Sequence, residues 1–85
     1  MTTGAPVHFL RTVPVREIAT ALRRDGFVLE RETRTGARIY GHPDGRLTVL
    51  HYHRGSDTLT RKTLQSVLQA TRWSEADLRR LKLMK

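Results

Sequence analysis

The stretch Gly36 to His53, reading GARIYGHPDGRLTVLHYH, restricts the fold of this chain more than any other. Two runs of strand-forming residues, Ala37 to His42 and Leu47 to His53, flank the tetrapeptide His42-Pro43-Asp44-Gly45. Proline presets φ, aspartate bonds its own backbone and glycine accepts φ > 0, so the tetrapeptide spells a turn and the whole stretch a β-hairpin. Three of the four histidines lie on it, with Arg38, Arg46 and Arg54 on or beside it. The hairpin therefore gathers imidazoles and fixed positive charge on one rigid element. Its buried face is ambiguous, because Ala37, Ile39 and Gly41 alternate with Arg38, Tyr40 and His42. On the second run Leu47, Val49, His51 and His53 alternate with Thr48, Leu50 and Tyr52. The reading places Tyr40 inward.

The rest of the chain supplies what this hairpin packs against. Met1 to Thr12 reads as a loose extension, with Val7-His8-Phe9-Leu10 suited at most to a short edge strand. Val15, Ile18, Ala19 and Leu22 fall at i, i+3, i+4, i+7, the spacing of an amphipathic helix, with Pro14 in its first turn and Gly26 at its end. Phe27 to Thr33 predicts a strand in which Phe27 and Leu29 share an apolar face. After the hairpin, Thr60 is an N-cap between the staple residues Leu59 and Leu64, and opens a helix with the stripe Leu64, Val67, Leu68 and Thr71. Trp73, Ser74, Asp77 and Leu78 repeat the device for a short last helix. The expected architecture is α+β. Residues 13–85 form one double-stranded-RNA-binding-like domain, α-β-β-β-α with a short extra C-terminal helix, its three-stranded antiparallel sheet covered by helices on one face.

Sixteen Lys and Arg stand against eight Asp and Glu, a formal net charge of +8 on 85 residues. So dense a positive charge fits a polyanionic partner, since each neutralised phosphate releases counterions. An acidic protein partner fits the same charge. The absence of cysteine excludes a disulfide framework and a thiolate nucleophile. No run approaches the roughly 18 apolar residues of a membrane span, and Met1 to Pro6 lacks a basic leader, so a cytoplasmic protein is expected.

An ordered set of residues carries a family resemblance. Asp25-Gly26-Phe27, Arg31, a Gly-containing turn, Tyr40, His42-Pro43-Asp44-Gly45-Arg46, Thr48-Val49 and Lys62-Thr63-Leu64 together resemble the HicA toxins of bacterial toxin-antitoxin modules. The likeness runs from Val13 to about Leu83. It implies a metal-independent endoribonuclease that cleaves messenger RNA, needs no cofactor, and is neutralised by a HicB-like antitoxin covering its active face. In that family a histidine follows the turn before the second strand in a Gly-Ser-His type motif. Thr35-Gly36-Ala37 stands there in this chain, so Ala37 occupies the catalytic position. Imidazole accepts a 2′-hydroxyl proton near neutral pH and a methyl group does not, so cleavage is expected to be impaired or lost. An engineered knock-out and a natural subfamily with a relocated base both explain the alanine. A non-catalytic RNA-binding module is the alternative function.

The candidate groups follow. His51 and His53 lie two residues apart and so share a strand face, as an acid and base pair or as two packing residues. As a metal pair they lack a third ligand at suitable spacing, so no metal site is expected. His42 reads as a turn residue, and His8 falls in the loose extension. Arg38, Arg46, Arg54, Arg61 and Lys62 are the expected RNA-binding residues, the last two at a helix start where phosphate is favoured. Dimerisation through an uncovered sheet face stays open.

Overall fold

The amphipathic repeat after Pro14 folds as helix α1 (Val15–Arg24), burying Val15, Ile18, Ala19, Ala21 and Leu22. The computed structural model describes residues 10–84. The expected strand segment Val7 to Phe9 and His8 thus lie outside the described residues, while Leu10 is buried in the core. Pro14 gives α1 no side-chain cap. Its first amides instead donate to the loop that precedes the second helix, Val15 N–H to Asp57 O at 2.7 Å and Arg16 N–H to Gly55 O at 3.0 Å. Those donors would otherwise be orphaned. Gly26, at φ +101°, turns the chain from the helix into the sheet.

Three strands follow: β1 (Val28–Glu32), β2 (Ala37–Gly41) and β3 (Leu47–His51), antiparallel in the order β1-β2-β3. Opposed residues share a face, and β2 pairs Tyr40 with Thr48 and Arg38 with Leu50. Tyr40, Thr48 and Leu50 are buried on the helix side, so the inward placement of Tyr40 holds. Ala37, Ile39, Leu47, Val49 and His51 fall on the other side.

The first strand departs from the sequence expectation. Phe27 is buried just ahead of it, but all five residues of β1 are exposed. The strand lies at the edge of the sheet, and the second helix packs on β3 at the other edge. It also carries a β-bulge, since Leu29 opposes Tyr40 and Arg31 opposes Ile39, so Glu30 is an extra residue that resets the alternation. The Glu30 carboxylate lies where a Cβ on Gly41 would sit.

Helix α2 (Arg61–Thr71) packs on β3 and buries Leu64, Val67 and Thr71, with Leu68 packed at the edge of the core. Thr60 caps it by accepting from the Thr63 amide. Helix α3 (Glu75–Arg80) starts in a complete capping box between Ser74 and Asp77. Burial of leucines such as Leu50, Leu64 and Leu78 contributes about 1.5–3 kcal/mol each. The order α-β-β-β-α with a short C-terminal helix, and an open three-stranded sheet, is the expected architecture. Among the described residues no helix is long and apolar enough to cross a membrane.

Candidate functional site

The molecule has two unlike ends, set by the direction of its elements. At one end, below the hairpin turn, most of the polar groups are engaged with each other. Asp25, the C-cap of α1, accepts from the Trp73 indole Nε1–H at 2.8 Å and from Arg80 at 3.0 Å, and forms an ion pair with Arg46 at 3.1 Å. Burial pushes its carboxyl up, but the hydrogen bonds from Trp73 and Arg80 and the nearby guanidinium charges of Arg46 and Arg80 outweigh it. They hold Asp25 below its ordinary value. Arg46 also bonds Asp44 and the Thr71 carbonyl, and its guanidinium lies 4.9 Å from the centre of the Phe27 ring.

His42 belongs to this end. Its Nδ1 accepts the Asp44 amide at 3.1 Å and its Nε2 lies 2.8 Å from the Asp25 carbonyl, so both ring nitrogens are engaged. Its ring also meets Phe27 edge-on at 5.0 Å. Asp25, Phe27, His42, Asp44 and Arg46, which carry much of the motif in the sequence, thus form a brace between α1, the hairpin turn and the two last helices.

The other end holds the candidate site. It lies five strand residues away, about 16 Å at the usual strand rise. Here Ala37, the first residue of β2, is the direct partner of His51, the last residue of β3. His51 and His53 are both exposed, their rings 5.7 Å apart and nearly perpendicular at 84°. Among the described residues neither imidazole has a hydrogen-bond or ion-pair partner. Gly36, at φ +91°, closes the group: an added Cβ would meet the Tyr52 carbonyl at 2.9 Å and His53 Nδ1 at 3.7 Å.

Helix α2 points its start toward this end. Its last residue, Thr71, touches Arg46 at the braced end, and its eleven residues span about 16 Å. Arg61 and Lys62 are therefore at the same end as the histidines, on the helix side of the sheet, both exposed and without an ion-pair partner among the described residues. Arg54 follows His53 directly; its amide is fixed by Asp57 Oδ2 at 3.0 Å and its side chain is exposed. The N-terminus of α1 is at the same end, but its first amides are closed off by Gly55 and Asp57.

Of the sequence candidates, the fold brings together Ala37, His51, His53 and Arg54, with Arg61 and Lys62 at the same end. It does not bring Arg46, which is held at the opposite end. Arg38 is at the right end on the helix side of the sheet, 4.1 Å over the Tyr52 ring and bonded to the Gly36 and Tyr52 carbonyls. Two further residues contribute to the site. Gly36 sets the approach of the strand ends, and the signal for it was the Arg34-Thr35-Gly36 turn; Tyr52 seats Arg38 and carries no local signal. Among the described residues no group of three or more His, Cys, Asp or Glu is arranged to hold a metal ion.

The open side of the sheet is apolar beyond the histidines, with Val28 60%, Leu47 53% and Val49 46% exposed. Such a patch on one face marks a contact surface more often than a solvated one. Comparison with known families agrees with the motif. A family model described as HicA toxin of bacterial toxin-antitoxin matches residues 15–73, from the start of α1 to Trp73. No curated protein matches the chain.

Proposed function

The chain belongs to the HicA toxin family of bacterial toxin-antitoxin modules, and from that premise we propose that it acts on messenger RNA in the cytoplasm as a metal-independent endoribonuclease. Its cleavage is slow because Ala37 stands at the family's histidine position. The observation that carries this reading is the place of Ala37: the open sheet face, at the end of the molecule that also holds Arg54, Arg61 and Lys62, beside two imidazoles that have no hydrogen-bond partner among the described residues. Arg54, Arg61 and Lys62 hold the RNA backbone there, and the start of α2 adds its dipole to theirs. Arg38 supports the strand ends from beneath. A HicB-type antitoxin covers the open face, where Val28, Leu47 and Val49 offer apolar contact and the surrounding charge favours an acidic partner.

Inducible expression of the chain beside its Ala37→His variant tests the proposal. The variant is expected to arrest growth and fragment messenger RNA, and co-expressed antitoxin to relieve the arrest. Unchanged growth with soluble variant protein, together with RNA left intact by both proteins, overturns the ribonuclease reading. One observation favours a second reading, a non-catalytic RNA-binding module: the side chain at position 37 is a methyl group. That reading requires salt-sensitive RNA binding by both proteins and intact RNA with both.

A further inference from the structure

We propose that His51 is the catalytic base of this chain, acting from the neighbouring strand on the space that Ala37 leaves open, with His53 as the acid. The proposal rests on the ribonuclease reading and names the groups that perform it.

The ladder sets the geometry. Tyr52 N–H donates to Gly36 O and His42 N–H to Arg46 O, so the rungs 36/52 and 42/46 are of the hydrogen-bonded kind. Rungs alternate, so Ala37 and His51 form a non-hydrogen-bonded rung, the kind in which opposed side chains come closest. Opposed Cβ atoms are then about 4.5–5.5 Å apart. An imidazole rooted at His51 spans that gap by a change of χ1, because the residue beneath it is alanine. A larger side chain at position 37 would fill the same space.

Two further features single out these imidazoles. The third described histidine, His42, has both ring nitrogens engaged, whereas among the described residues His51 and His53 have neither engaged. His53 lies against Gly36, where the missing side chain leaves room for its ring 5.7 Å from that of His51. When His51 swings over Ala37, out of its edge-to-face contact with His53, an RNA phosphate seated between the parted rings meets a base on one side and an acid on the other. Neutral His51 takes the proton of the ribose 2′-hydroxyl, and the O2′–P bond forms as the P–O5′ bond breaks. Protonated His53 gives its proton to the departing 5′ oxygen. The products are a 2′,3′-cyclic phosphate and a 5′-hydroxyl; His51 ends protonated and His53 neutral, so the protons balance.

The test uses four full-length proteins, the parent, His51→Ala, Ala37→His and the double variant Ala37→His/His51→Ala, with an end-labelled single-stranded RNA in EDTA. Circular dichroism and RNA binding confirm that each is folded; position 51 is exposed, so its substitution leaves the core alone. The parent is expected to leave 2′,3′-cyclic phosphate ends, His51→Ala to lose about 100-fold or more in rate, and the double variant to recover it. If His51→Ala cuts like the parent while Ala37→His cuts faster, the assignment of His51 is overturned and the ribonuclease reading stands. If no protein cuts RNA that all of them bind, the ribonuclease reading fails and the assignment with it.

Discussion

The indole Nε1–H of Trp73 donates to the Asp25 carboxylate at 2.8 Å, joining the end of α1 to the residue just before the N-cap of the last helix, 48 positions later. Arg46 and Arg80 meet the same carboxylate. One acidic side chain, 11% exposed, therefore ties the hairpin and the C-terminal helix to α1. Asp25→Ala leaves the Trp73 donor and two guanidinium groups without their shared acceptor. The expected loss is about 3 kcal/mol, read by urea denaturation, with a matching fall in melting temperature. A variant as stable as the parent would contradict the bracing role.

The same carboxylate makes stability depend on acid. Its folded-state pKa is depressed below the reference of 3.8, so its contribution is complete above that value and is lost as pH falls through the folded-state value. Unfolding free energy is expected to be level near pH 6 and to drop below about pH 4. In Asp25→Asn the drop should be shallower; Asp44 and Asp77, also depressed, leave a remainder. An equally steep acid limb in parent and variant would assign the effect elsewhere.

Arginines at the two ends should behave differently on substitution. Arg61→Ala and Lys62→Ala are expected to change stability by less than about 0.5 kcal/mol. Each should lower the slope of log affinity for RNA against log salt by about 1. Arg46→Ala should destabilise by about 2 kcal/mol, because it strips Asp25 and the Thr71 carbonyl of a half-buried partner. Measuring the salt slope and the denaturation midpoint for all three separates the roles. An unchanged slope in Arg61→Ala and Lys62→Ala would remove the start of α2 from the RNA surface.

Gly36→Ala tests the closure of the site. The positive φ and the Tyr52 carbonyl at 2.9 Å both oppose a Cβ, so a loss of about 1–2 kcal/mol is expected. Gly45 also has a positive φ, but nothing lies within 4 Å of an added Cβ. Gly45→Ala therefore isolates the backbone cost, and Gly36→Ala should exceed it in a denaturation series.

Leu47→Lys and Val49→Lys address the open side of the sheet. Both side chains are about half exposed, so melting temperatures should stay near that of the parent. Affinity for a HicB-type antitoxin, measured by calorimetry, should fall at least tenfold if that side is the docking surface. Unaltered affinity would move the antitoxin elsewhere.

What the sequence could and could not convey follows from the range of the interactions. The helices were legible because Val15, Ile18, Ala19 and Leu22, and later Leu64, Val67 and Thr71, repeat at a spacing that burial enforces. Thr60, Ser74 and Asp77 announced their caps because capping is local. The exposure of β1 was not legible, since it follows from the strand's place at the sheet edge away from the packed helix, and the bulge at Glu30 depends on how Gly41 is approached. The engagement of Arg46 was hidden for a related reason: its partners Asp25 and Thr71 are 21 and 25 positions away. His51 and His53 were visible as a pair, but their position beside Ala37 required the register of the hairpin.

The two-sided sheet bears on how such a domain diversifies. Tyr40, Thr48 and Leu50 on its inner side answer to packing, and a change there is screened first by folding. Ala37 and His51 on its outer side are screened by what arrives from outside. A substitution on the outer side therefore alters what the sheet can meet while the folded scaffold stays as it was.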